Sequence, residues 1–162
     1  MRRRKIVLTI LFLTILAVFA LQDCGEGYSN IELPKLKLSI EADESAQIIS
    51  NTSHEAVIRG TSGVFLKIIR LDRTRIDDDS IGRLVVSTAS SQGLELSSLE
   101  GRRMAGGNIT GSYVIGTKGD SVIVVGGFIG NRSTDGYISV FHYPKEIADK
   151  AKYSMESMKY TE

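Results

Sequence analysis

The chain has 162 residues, a formal charge of +1, 42% hydrophobic residues and a single cysteine. One cysteine excludes an intramolecular disulfide framework, so stability must come from packing. The near balance of 20 basic and 19 acidic side chains excludes the strongly basic profile of a nucleic-acid binder, and no nucleic-acid partner is expected.

Taken in chain order, Met1-Arg2-Arg3-Arg4-Lys5 is followed by an apolar run of 16 residues, Ile6 to Leu21. A basic segment before an apolar one is the layout of an export signal. As a straight helix the run spans roughly 24 Å, short of the ~30 Å hydrocarbon core. Retention as an anchor stays open, because basic flanks snorkel and bilayers thin. The basic flank holds the N-terminus on the cytoplasmic side and sends the remainder across. Val18-Phe19-Ala20 suits ordinary cleavage before Leu21. Leu21-Gln22-Asp23-Cys24 places Cys24 as a lipid-attachment candidate, although Gln22 and Asp23 are atypical there. Residues 1–24 are thus a signal peptide or membrane anchor, with membrane lipid as a partner through the N-terminus. The expected location is the extracytoplasmic face of a membrane, or outside the cell if the signal is cleaved without lipidation. Beyond Cys24, 16 basic side chains meet 18 acidic ones, a net charge of −2. Three of the four asparagines open glycosylation acceptors: Asn51-Thr52-Ser53, Asn108-Ile109-Thr110 and Asn131-Arg132-Ser133.

Residues 25–35 are small and polar, contain Pro34 and are expected to form a tether. Residues 36–162 are expected to form one domain. Leu36–Glu41 alternates, Gln47–Ser50 and Ala56–Arg59 are short β-favouring pieces, and Val64–Leu71 is a strong strand. The stretch IDDDSIGRLVVSTASSQG predicts a helix. Ile81, Leu84, Val85 and Thr88 share one face, Asp78 or Asp79 is a cap, and Gly93 stands at the C′ position. Ser112–Gly116, Ser121–Ile129 and Tyr137–Tyr143 form a meander, their connections being too short for parallel crossovers. Gly126-Gly127 predicts a bulge or a close backbone approach. A last helix opens at Pro144, puts Ile147, Ala148, Ala151, Met155 and Met158 on one face, and has Lys159 at its C-terminal end. These elements imply an α+β fold: a single antiparallel sheet with two packed helices, preceded by the N-terminal hydrophobic segment.

The residues for chemistry are sparse. His54 and His142 are isolated from each other in sequence and make no ligand set, so no metal, catalytic or cofactor residue is assigned. Asp77-Asp78-Asp79 lacks the alternate spacing and distal glutamate of a calcium loop and suits helix capping. Gly60-Thr61-Ser62-Gly63 lacks the final glycine of a nucleophile elbow. Gly106-Gly107, Gly111, Gly116 and Gly119 are expected in turns, and Arg70, Arg73 and Arg75 beside the acidic triplet predict local pairing.

Leu99-Glu100-Gly101, SVIVVGGFIG, YISVFHYPKEIADKAKYSMESMKY and the ending Ser157-Met158-Lys159-Tyr160 together resemble the PsbP-like family over the C-terminal half. The resemblance implies an α/β/α sandwich around an antiparallel sheet, and a binding or assembly-support role. The family's aromatic opening and its tryptophan are missing here, and no functional residue carries over. The expected function is an exported, membrane-associated, non-enzymatic binding or assembly-support domain whose partner is an envelope or membrane protein. The alternatives are a small extracytoplasmic hydrolase built on His142, and an accessory subunit of a membrane complex.

Overall fold

A computed structural model describes residues 27–71, 78–131 and 135–161. Seven strands make the main sheet: β3 (Gln47–Asn51), β4 (Glu55–Arg59), β5 (Phe65–Leu71), β6 (Glu100–Gly106), β7 (Ile109–Lys118), β8 (Ser121–Gly130) and β9 (Gly136–Pro144). Their order is β3-β4-β5-β9-β8-β7-β6, and every pairing is antiparallel. The sheet is two meanders, β3-β4-β5 and β6-β7-β8-β9, joined where β5 meets β9. Helix α1 (Asp78–Ser91) carries the chain between them.

The expected single sheet and the expected tether are both corrected. Within 25–35, Tyr28–Leu33 forms β1, which pairs along its whole length with β2 (Leu38–Asp43). Pro34 sits in the connecting turn, where a missing N–H costs nothing, and Ile31 and Leu33 alternate into the core. The hairpin lies across the face of the main sheet instead of extending an edge. A second, three-stranded sheet, β1-β2-β10, is completed by Lys159–Tyr160 (β10). The last helix, α2 (Ala148–Glu156), therefore ends before Lys159. Tyr160 N–H donates to the Gly107 carbonyl at 2.7 Å, and Tyr160 itself packs beside Gly130.

One face of the main sheet is sealed. Ala56, Ile58, Leu66, Ile68, Phe141 and Tyr143 meet the hairpin's Leu33, Leu36, Leu38 and Ile40 and α2's Ala151 and Met155, all fully buried. Buried tyrosines keep partners for their hydroxyls: Tyr137 donates to the Leu36 carbonyl, Tyr143 meets Ser154 Oγ, and Tyr113 donates to Glu156. Burial raises these phenols, Tyr143 to about 12, so they remain protonated.

Helix α1 lies on the opposite face, over β7 and β8. Ile81, Val85 and Ala89 pack on Ile123, Val125 and Ile138, with Leu84 partly buried beside them. Gly93 (φ +78°) closes the helix. Leu94 N–H reaches the Ala89 carbonyl and Gly93 N–H the Ser90 carbonyl, a Schellman motif whose apolar pair, Ala89 and Leu94, is buried. The side chains of Asp78 and Asp79 lie outside the described residues. Gly126-Gly127 makes no bulge, since β8 keeps an unbroken register with both neighbours. It is a close approach on two sides: a Cβ on Gly126 would stand 2.6 Å from Met155 of α2, and one on Gly127 2.6 Å from Ile81 of α1. Gly111 and Gly116, expected in turns, lie inside β7 and are hemmed in by Gly127 and Phe128 and by Leu94 and Leu99.

Candidate functional site

A helix about 10 Å across covers about two strands at their ~4.8 Å spacing. With α1 over β7 and β8 and reaching Ile138 of β9, no described element covers the same face across β3, β4, β5 and the His142 end of β9. The register orders what it presents. One row runs Gln47, Arg59, Phe65, His142, Ile123. The next runs Ser50, Val57, Lys67, Val140, Val125, and a third runs Glu55, Ile69, Ile138, Gly127. Each row ends under α1. Toward β3, Gln47 and Arg59 are exposed and Ser50 and Val57 partly buried, and β5 shows a contrast between its faces: Leu66 and Ile68 are fully buried on the sealed face, while Phe65, Lys67 and Ile69 are only partly buried on the other.

The open face interleaves apolar and cationic groups. The Arg59 guanidinium stands 5.7 Å from the centre of the Phe65 ring, and that ring meets His142 edge-on at 5.8 Å. Lys67 pairs with Glu55 at 3.0 Å across β4 and β5. Lys118 Nζ donates to the Gln92 carbonyl, where a cation is favourable at the end of α1. Burial, helped by the Lys118 charge, lowers the His142 imidazole below its usual range, so it is neutral at neutral pH. His142 has no hydrogen-bonded carboxylate or hydroxyl among the described residues, and its contacts are aromatic. Arg70 pairs with Asp135, 65 residues away, its Nε lying 3.1 Å from Asp135 Oδ1, and the side chains of the acidic triplet lie outside the described residues. Arg73 and Arg75 lie outside the described residues.

The residues singled out from the sequence fall elsewhere. Cys24 lies outside the described residues. Asn51 ends β3, and its Oδ1 is buried without a hydrogen bond among the described residues. Asn108 is exposed in the β6–β7 turn with φ +60°. Asn131 accepts a 2.7 Å bond from Thr110 Oγ1, and its N–H donates to the Asn108 carbonyl, so two of the three acceptors share one end of the sheet. His54 lies in the β3–β4 turn, well separated in sequence from His142, and no group of three metal-ligating side chains occurs among the described residues. No described helix is long and apolar enough to cross a membrane. Sequence reading missed the open face because Val57, Phe65, Ile69 and Val140 look like core. The available signal was that one predicted helix cannot cover a wide sheet.

No family model matches the chain, and no curated protein matches it in sequence. Among solved structures, the fold is similar to that of the Saccharomyces cerevisiae Ran-binding protein Mog1p, at a TM-score of 0.57 and 9% identity over 83% of this chain and 96% of that one. A Mog1 variant structure gives a TM-score of 0.56 at 10% identity over the same shares. At these identities the likeness is one of fold, and no site residue transfers.

Proposed function

We propose that this chain is an exported, membrane-associated binding domain, non-enzymatic, which supports assembly by holding a protein partner on the open half of its main sheet. Membership of the PsbP-like family fits this reading. The observation that carries it is the asymmetry of the sheet: one face sealed by α2 and the hairpin, the other, among the described residues, left without a covering layer toward β3, where Val57 and Phe65 are only partly buried beside Arg59 and Lys67, with Ile69 and Val140 at the margin of the α1 cluster. Covering what remains exposed of these side chains is worth on the order of 1 kcal/mol each, enough to anchor a partner at the centre of an interface. Export and membrane association draw on the basic, then apolar, N-terminal sequence. A binding role is in keeping with the Mog1p fold, whose yeast example is described as Ran-binding.

The test begins with native membranes. The protein is expected in the membrane fraction, and its intact mass separates a lipid-bearing Cys24, a cut before Leu21 and a full-length chain. On native gels it is expected in a complex larger than itself, and Phe65→Glu is expected to release it while leaving its thermal unfolding near wild type. Recovery of the unprocessed chain from the soluble cytosol, or a complex indifferent to Phe65→Glu, refutes the reading.

A further inference from the structure

On the other side of α1, among the described residues, no element covers this face over the edge strand β6 and the margin of β7 next to it. Here a channel of about 430 Å³ runs between the helix and the edge of the sheet. Its floor is Gly101, Ser112 and Val114, its wall is Gly82 and Val86, and Arg103 stands at its rim, while the Arg102 side chain, one residue earlier in the strand, turns to the opposite face. Arg83 and the exposed Leu96 continue the surface around the outside of the helix. We propose that this channel is a docking site for an extended, acidic segment of a protein partner. The proposal is independent of the open-face reading above, since a different part of the sheet carries it.

Three observations converge on that occupant. Charge is the first. Arg102 pairs with Glu100, but neither Arg83 nor Arg103 has a carboxylate partner among the described residues. Two such guanidinium groups, one at the channel and one on the adjoining helix surface, are a local feature on a body of net charge −2, and guanidinium groups recognise carboxylates through paired N–H donors. The second is room. A Cβ on Gly82 or on Gly101 would meet nothing within 4 Å. Glycine inside an exposed helix or a strand weakens it, so here it leaves a notch where side chains would fit. The third is the edge. β6 ends the seven-stranded sheet, so among the described residues its outer main-chain groups have no strand partner, as strand addition requires. Val86, at 42% exposure, and Leu96, at 53%, supply apolar anchors beside it. Arginines on an edge also guard against self-association; the open notches on both sides of the channel are what that role leaves unexplained.

The experiment uses full-length protein in a non-ionic detergent and a short fluorescent peptide alternating glutamate and valine, with a lysine–valine peptide as control. Saturable binding of the glutamate peptide is expected, weakening as salt rises. The double variant Arg83→Glu/Arg103→Glu is expected to lose at least about tenfold in affinity. Gly82→Leu keeps every charge and favours the helix, and it is expected to block binding by filling the notch. Phe65→Glu should leave peptide binding intact, which separates this site from the open face. The proposal is overturned if the glutamate peptide binds neither protein, binds both alike, or is matched by the lysine peptide. It is also overturned if the arginine variant loses capture by phosphatidylserine vesicles while peptide binding is unchanged, which would assign the arginines to lipid.

Discussion

Gly127 lies in β8 directly beneath α1, and its replacement by alanine tests the layer geometry. An added Cβ would stand 2.6 Å from Ile81 Cγ2 and 2.7 Å from Val85 Cγ2. Both neighbours are β-branched, locked in rotamer and 2% or less exposed, so relief requires the helix itself to move. Overpacking of this kind costs about 1–3 kcal/mol, against about 0.4–1 kcal/mol returned by the stiffer unfolded chain. Gly127→Ala is therefore expected to lose about 1–2 kcal/mol, lowering the melting temperature by roughly 4–8 °C for a body of this size. Gly126→Ala is the internal control. Its Cβ meets side-chain ends that can turn aside, Met155 Sδ at 2.6 Å and Ser139 Oγ at 2.9 Å, and an unbranched thioether yields readily, so its loss should be smaller than that of Gly127→Ala, about 1 kcal/mol. Urea unfolding of both variants, plus Gly127→Ala/Val85→Ala, completes the assay. Removing Val85 Cγ2 takes away one of the two clashes and leaves Ile81 Cγ2, so the double variant should be more stable than additivity predicts by at least about 0.5 kcal/mol. Equal losses for the two alanine variants, or strict additivity in the double variant, would refute this packing of α1 on the double glycine.

Two further predictions concern pH. Burial works against the Asp43 carboxylate, but Lys150 at 2.6 Å and the hydroxyl and amide of Ser45 outweigh it and hold its pKa below the usual range. The contribution of this pair is thus present above about pH 4 and lost as pH falls below that. Asp43→Asn should cost about 1–3 kcal/mol at neutral pH, and the gap to wild type in urea midpoint should close on acidification; a gap constant across the acid limb would count against it. His142 behaves in the opposite way to a salt-bridged histidine. Burial first, and the Lys118 charge second, depress its pKa in the fold, so the unfolded chain takes up the proton sooner and stability falls as pH drops below about 6.5. His142→Gln should flatten that slope, and a slope unchanged by the substitution would show that the ring titrates as freely in the fold as in the unfolded chain.

How much of this was legible in the sequence depended on whether local rules decided the outcome. The C-terminal meander was legible because short connections force antiparallel neighbours, and the central helix because Ile81, Val85 and Ala89 recur on one face while Gly93 supplies the left-handed residue that ends it. The N-terminal hairpin was hidden because the polar stretch around Pro34 reads as a tether, and only the burial of Ile31 and Leu33 against distant residues makes it a strand. β10 is two residues long and held by the Gly107 and Lys37 carbonyls; no local pattern announces such a piece. The open face was hidden for a related reason. Strand β5 has apolar residues on both sides, and alternation within a strand cannot tell which face a helix covers.

Coverage also sets direction. Both described ends of the chain lie in the sealed layer: Gly27, whose carbonyl accepts from Lys150 Nζ and from the Glu44 amide, leads into β1, and β10 pairs with β2. The open face and the arginine channel lie across the main sheet from that layer. Stacked layers stand about 10 Å apart, so the hairpin and α1, on opposite sides of the sheet, are separated by roughly 20 Å. On the proposed reading, residues 22–26 are all that joins the apolar run to Gly27, and even fully extended they reach no more than about 18 Å. A leader held at the bilayer would then bring the sealed layer to the lipid and turn both uncovered surfaces away from it. This orientation suits protein partners for both surfaces, and it explains why a lipid role for Arg83 and Arg103 is the outcome that would most damage the argument: those side chains would have to reach a membrane from the far side of the sheet.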